Sequence, residues 1–304
     1  MKITGSQVRL FIRLSRPSFL GLGLLLYGLG IGIGRYLGVR LDPTVYLLGQ
    51  GLVTLIQLIG GYLYEFYNAE SKTLYRRTAQ NPDLSGVLQD EQLPRQVAQV
   101  AAAIALALGA ALVYNLLATS SISVIAWIIL VILLLSAFIY SLPPIQLATS
   151  GYGELLLSAA MGALLPAFAF SLQAGNLHRL IIMTATPLVA LHFAMLMVFE
   201  LRSYAVDLSV ERRTLMVRLG WQTGMRLHDL AIVFAMGSVL AAYLAGMPSR
   251  IALNSLIALP LAVAQIWQMS RIRNGAPIRW KPLLYNAVAL VALLAYLQLV
   301  GYVV

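Results

Sequence analysis

The chain has 304 residues, of which 60% are hydrophobic and 11% charged, with a net charge of +10 and a mean hydropathy of +0.83. Soluble domains carry about 25% charged residues, so this composition excludes an ordinary water-soluble protein. The absence of cysteine excludes disulfides, thiolate nucleophiles and zinc–thiolate sites without naming a compartment.

The start, MKITGSQVRLFIRLSRPSFLGLGLLLYGLGIGIG, is a basic head followed by an apolar run. That run is long for a signal peptide and has no small-x-small cleavage site, so it reads as a retained first helix over 18–37. Eight more runs of spanning length follow: 44–66, 96–117, 122–142, 153–174, 179–201, 228–246, 250–270 and 282–303. They are continuous and not alternating, which excludes a barrel, and helices are the remaining way to satisfy backbone polar groups in lipid. The expected fold is all-α, a polytopic membrane protein of about nine transmembrane helices in a single domain over 1–304, with cap loops at 67–95 and 202–227.

With the N-terminus in the cytosol, all 21 Lys and Arg but Arg35, Arg40, Arg179 and Arg250 lie on the cytosolic side. The positive-inside rule selects this orientation, with the C-terminus outside. The positive charge is thus orientation information, and no nucleic-acid partner is expected. The acids lie on the same side except Asp42. Acids contribute little to topology, so their clustering calls for another explanation.

Each long loop follows an acid at the inner end of an even-numbered helix, Glu65 or Glu200. YEFYNAESKTLYRR and FELRSYAVDLSVERR both run from Glu to a paired Arg, a weak internal echo that suggests a two-lobed site. On a helix, Glu200, Ser203 and Asp207 share one face, as do Glu65, Asn68 and Lys72, with Glu70 to the side. Carboxylates from two facing helix ends suit Mg²⁺, which takes oxygen ligands and bridges to phosphates. Nearby Arg and Lys suit phosphate oxygens. Snorkelling at the interface accounts for the same charges more simply, but acids at membrane depth are costly and favour a site.

The segment FELRSYAVDLSVERRTLMVRLG resembles the second aspartate-rich motif of the UbiA superfamily of intramembrane prenyltransferases, particularly its menaquinone-type branch. Glu200, Arg202, Asp207, Arg213, Thr214, Leu215, Val217, Arg218, Leu219 and Gly220 fall in register with that pattern. RPSF at Arg16–Phe19, SG at Ser85–Gly86, YSLPPIQL at Tyr140–Leu147 and GYGE at Gly151–Glu154 resemble further family segments. The sequence departs from the pattern at Gly61, Tyr62, Glu65, Ala148, Phe199, Ser203 and Arg212.

The resemblance implies nine helices around a cavity open to the cytosol. It also implies transfer of a polyprenyl group from its diphosphate to an aromatic, naphthoate-like acceptor. Mg²⁺ would be held by Glu65, Glu70, Glu200 and Asp207, with Glu65, Glu200 and Asp207 catalytic. Arg16, Lys72, Arg76, Arg202, Arg213, Asn68, Ser203 and Tyr140 would bind substrate, although Tyr140 fits an interfacial belt equally well. His192 and Gln57 are compatible with orienting an acceptor, but interhelical hydrogen bonding accounts for them more simply. The departures keep open an altered or inactive relative that binds isoprenoids, or a terpene cyclase. A transporter is a third reading. Membrane lipid is the expected surrounding partner.

The cysteine-free chain makes the topology directly testable. Asn274→Cys should react with a membrane-impermeant maleimide only from the cytosolic face, and Ser249→Cys only from the other. The opposite labelling pattern would invert the orientation.

Overall fold

The computed structural model describes residues 5–68, 85, 87–88, 92–120, 122–209 and 211–304. Among them are nine helices long and apolar enough to cross a membrane, and no strand. They are α2 (Pro17–Tyr36), α3 (Pro43–Asn68), α4 (Gln96–Thr119), α5 (Val124–Ser141), α6 (Gly153–Ala174), α7 (Arg179–Ser209), α9 (Trp221–Leu244), α10 (Ser249–Arg273) and α11 (Trp280–Val303). Two short helices complete the set, α1 (Gly5–Leu14) and α8 (Leu215–Leu219).

Local chemistry explains several boundaries. Pro17 opens α2, where a missing N–H costs nothing. Asp42 Oδ1 caps α3 by accepting the N–H groups of Thr44 and Val45 at 2.7 and 3.2 Å. Ser123 caps α5 through the N–H of Ala126 at 3.2 Å, and Gly175, at φ 75°, ends α6 in the left-handed region.

Three boundaries differ from those expected. Helix α7 runs on to Ser209 and α9 starts at Trp221, so much of the expected 202–227 loop is helical. The residues before Pro17 form a separate helix, α1. The cause is common to all three. Apolar runs mark the hydrocarbon thickness, whereas backbone hydrogen bonding continues into the polar zone beyond it.

Helix α7 is the axis of the fold. It packs along α9, α11 and a π-helical turn of α6, Ala160–Leu164. That turn lies just before Pro166, which cannot donate an N–H to the carbonyl four residues earlier. It brings Met161 to an internal cavity and Gly162 against the backbone of Val189 on α7. Helix α2 packs along α6 and α11, and α3 along α4 and α5. The main apolar core fills these contacts, and a satellite cluster joins Leu14, Tyr62, Val87, Leu88 and Leu93 beside the first loop.

Gly30 sets the closest approach of α2 and α6, since a Cβ there would lie 2.2 Å from the carbonyl oxygen of Pro166. Gly30→Ala should therefore cost on the order of 1–3 kcal/mol through overpacking. Gly237→Ala, at a position with open space around it, should be close to neutral. Thermal unfolding in detergent compares the two.

Candidate functional site

Three of the four carboxylates that the sequence singles out are buried toward the loop-bearing ends of α3 and α7. Glu65 and Asp207 are 0% exposed and Glu200 is 4% exposed. Each is occupied by protein donors. Glu65 Oε1 accepts the backbone N–H of Ser85 at 2.5 Å, across the first loop. Glu200 Oε2 accepts the backbone N–H of Met216 at 3.0 Å, across the second. Asp207 Oδ2 accepts the hydroxyl of Ser203, one helical turn earlier, at 2.5 Å.

Asp207 Oδ1 lies 3.6 Å from Nη1 of Arg212, whose guanidinium is the hub of this end. Nη2 of Arg212 donates to the Tyr64 hydroxyl at 2.6 Å and to the Ala148 carbonyl at 2.8 Å. One cation thus ties α3, the 3₁₀ turn Leu147–Thr149 and α7 together. Glu211 adopts φ 55°, which reverses the chain just after α7, and the Arg212 N–H returns to the Asp207 carbonyl at 2.9 Å. Breaking a buried pair leaves an uncompensated charge and is strongly destabilising.

Next to this hub lies a cavity of about 150 Å³, among α2, α3, α5, α6 and α7. Most of its wall is aliphatic. Arg16, Tyr62, Tyr64 and Tyr140 line its loop-bearing part. Gln57 and His192 each sit eight residues before the acid on their helix, or about 12 Å along the axis. Both also line the cavity. The Arg16 guanidinium sits 4.5 Å from the centre of the Phe19 ring, and Tyr140 packs against Tyr64 at 5.6 Å. Tyr140 is among the residues that line the cavity.

The remaining expected residues are less central. Asn68 is buried, and its amide donates back to the Tyr64 carbonyl at 2.9 Å. Arg202 is half-buried on α7, while Arg213 is exposed and its N–H donates to the Thr149 carbonyl at 3.2 Å. Glu70, Lys72 and Arg76 lie outside the described residues.

The sequence reading left out Arg212 and Tyr64, because a paired Arg does not reveal which member turns inward. It also left out the contacts made by two departures from the family pattern. The Tyr62 hydroxyl shares a hydrogen bond with Ser15 at 2.6 Å, and Phe199 meets Phe19 edge-on at 6.4 Å. Both aromatic residues anchor the segment that carries Arg16.

Residues 38–288 match the model of the UbiA prenyltransferase family. The chain belongs to this family. Solved relatives share the fold over nearly the whole length. A UbiA homologue from Archaeoglobus fulgidus bound to GPP and Mg²⁺ is 14% identical, with a TM-score of 0.71, covering 97% of this chain and 100% of that one. A digeranylgeranylglyceryl phosphate synthase is 14% identical with a TM-score of 0.62, covering 97% and 98%. The apo form of a UbiA homologue from Aeropyrum pernix K1 is 13% identical with a TM-score of 0.62, covering 92% and 96%. No curated protein sequence matches the chain significantly.

The UbiA relationship raises the question of Mg²⁺, which demands near-octahedral oxygen ligation. Among the described residues no three His, Asp or Glu side chains come together as a metal site. The acids present hold backbone N–H groups, a hydroxyl and a guanidinium instead. The described donor set does not fit a divalent ion.

Arg212→Met should destabilise the protein by about 3–5 kcal/mol, as expected for a broken buried pair. Tyr64→Phe, which removes one bond to a charged group, should cost about 1.5–3 kcal/mol. The two losses should be less than additive in a double-mutant cycle read by thermal or denaturant unfolding. Full additivity would mean that Tyr64 and Arg212 do not act together.

Proposed function

We propose that this UbiA-family protein is a membrane prenyltransferase that moves a polyprenyl group from its diphosphate to an aromatic acceptor, with a naphthoate-like ring as the favoured acceptor. The observation that supports this reading is the apolar cavity with Arg16 and three tyrosines at its loop-bearing part. Following the partition of basic residues, that end faces the cytosol.

Heterolysis of the allylic C–O bond sends the electron pair to the departing pyrophosphate and leaves a delocalised cation on the prenyl chain. The acceptor ring carbon then bonds to that cation and gives up its proton to the released pyrophosphate. Arg16 takes up charge on the leaving group through charge-assisted hydrogen bonds, with Arg202, Arg213, Lys72 and Arg76 as the further basic residues of the same end. The tyrosines that line the cavity place aromatic π density near the prenyl cation. The aliphatic wall keeps water from quenching that cation. Glu65, Glu200 and Asp207 act in this reading by holding the two cap segments and Arg212 in position. No step is assigned to a metal.

A second reading, isoprenoid binding without transfer, is favoured by that same engagement of the carboxylates with protein donors. Purified full-length protein in lipid nanodiscs, given geranylgeranyl diphosphate and dihydroxynaphthoate, should release pyrophosphate and form a prenylated ring. Arg16→Gln should raise the KM for the diphosphate about tenfold, the loss of one charged hydrogen bond. Diphosphate binding without pyrophosphate release, across a panel of phenolic acceptors with and without Mg²⁺, would establish the second reading instead.

A further inference from the structure

Away from the cavity beside Arg212, a larger groove of about 820 Å³ runs along the outside of the bundle between α6, α7 and α9. Small buried residues, Ala167, Ala185 and Ala190, form its floor. Its rim is apolar and open, with Ile182 72%, Leu230 64% and Phe234 60% exposed, and in a membrane such a rim faces lipid tails. Along α7 the groove extends from Arg179 to Phe193, about 21 Å of helix, which is longer than one leaflet of a hydrocarbon core of roughly 30 Å.

The two hydroxyls in the wall are already committed. Ser158 donates to the Glu154 carbonyl at 2.6 Å and Thr186 to the Ile182 carbonyl at 2.8 Å. The length of the groove therefore offers an occupant apolar contact alone. Its mouth differs. His178 and Arg179, at the start of α7, line the end away from the cap loops. The N–H of Leu180 donates to His178 Nδ1 at 3.3 Å, so the imidazole carries its proton on Nε2 and can donate it. Arg179 is exposed, and its guanidinium lies by the α9–α10 turn, where a Cβ on Gly246 would be 3.6 Å from Nη2. Among the described residues it makes no ion pair. The one acid expected on this side, Asp42, is occupied in capping α3. An arginine here also runs against the positive-inside bias, so its charge calls for a reason other than topology.

The fitting ligand is apolar along a chain and anionic at one end. We infer that the groove is a binding site for an anionic phospholipid, with one acyl chain along α6, α7 and α9 and the phosphate at Arg179 and His178. The guanidinium fork matches phosphate oxygens through charge-assisted hydrogen bonds. A zwitterionic headgroup brings an ammonium as well, and the mouth has no carboxylate among its lining residues to receive it. A headgroup of net negative charge is therefore preferred. This site is separate from the cavity that carries the transferase reading, and it stands whichever reaction the protein performs.

The test titrates dioleoylphosphatidylglycerol and dioleoylphosphatidylcholine into the full-length protein in detergent, with native mass spectrometry reading the first lipid bound. The wild-type protein should bind the glycerol lipid about tenfold more tightly, the worth of one charged hydrogen bond. Arg179→Gln should bring the two lipids within about twofold of each other by weakening the anionic one alone. Arg35→Gln, which removes an equal charge from the same side but from α2, should keep the preference. Thr186→Trp, which fills the groove, should weaken both lipids severalfold. Phosphatidylglycerol with a photoreactive diazirine in one acyl chain should crosslink to groove residues of α6, α7 and α9. Equal wild-type affinity for the two lipids would overturn the inference, and so would crosslinks confined to other faces; neither measurement needs a variant to fold. A preference that survives Arg179→Gln would also overturn it. Displacement of the photolabel by equimolar geranylgeranyl diphosphate would give the groove to an isoprenoid and remove the phospholipid assignment.

Discussion

The buried guanidinium of Arg212 is the interaction on which the loop-bearing end depends. A cation that is 9% exposed at the edge of an apolar bundle persists only if its charge is compensated. Asp207 supplies the countercharge, and Tyr64 and Ala148 supply acceptors from two other elements. Because those partners come from α3, the 3₁₀ turn and α7, neutralising one side chain fixes the relative position of three pieces of the fold. Two of the tyrosines beside the cavity take their places from this arrangement, with Tyr64 held directly and Tyr140 packed on it.

Around that hub the chain uses the same device twice. Glu65 reaches forward to the N–H of Ser85, and Glu200 reaches forward to the N–H of Met216. In each case a buried helix carboxylate holds a segment further along the chain. Hydrogen bonds of this kind to an ionised group are stronger than neutral ones, which suits loops that cap a bundle. The echo between the two halves of the sequence thus has a structural counterpart in two matching clasps.

The departures from the family pattern have a common consequence as well. Tyr62 and Phe199 stand on different helices, yet both contact the short stretch from Ser15 to Phe19. That stretch carries Arg16 at φ 53°, a left-handed conformation that a non-glycine residue keeps only when its surroundings impose it. The aromatic replacements are part of those surroundings. They make two departures from the family pattern into anchors for a cavity-lining arginine.

The sequence by itself determined the class of fold. Apolar runs of bilayer length leave helices as the only spanning element, and the side preference of Lys and Arg gives an expected orientation. It also located the acids, because charge is conspicuous where charge is rare. It could not decide what those acids touch. Glu65 and Ser85 are 20 residues apart, Glu200 and Met216 are 16 apart, and Tyr64 and Arg212 are 148 apart. No local periodicity connects residues at such separations. Helix spacing predicted that Ser203 and Asp207 share a face, and they do hydrogen-bond. The same spacing is silent on whether a carboxylate turns to a metal, a loop N–H or a guanidinium, since all three present positive charge. Only the tertiary packing, which brings the loop backbones and Arg212 within hydrogen-bond reach of the buried acids, made that choice.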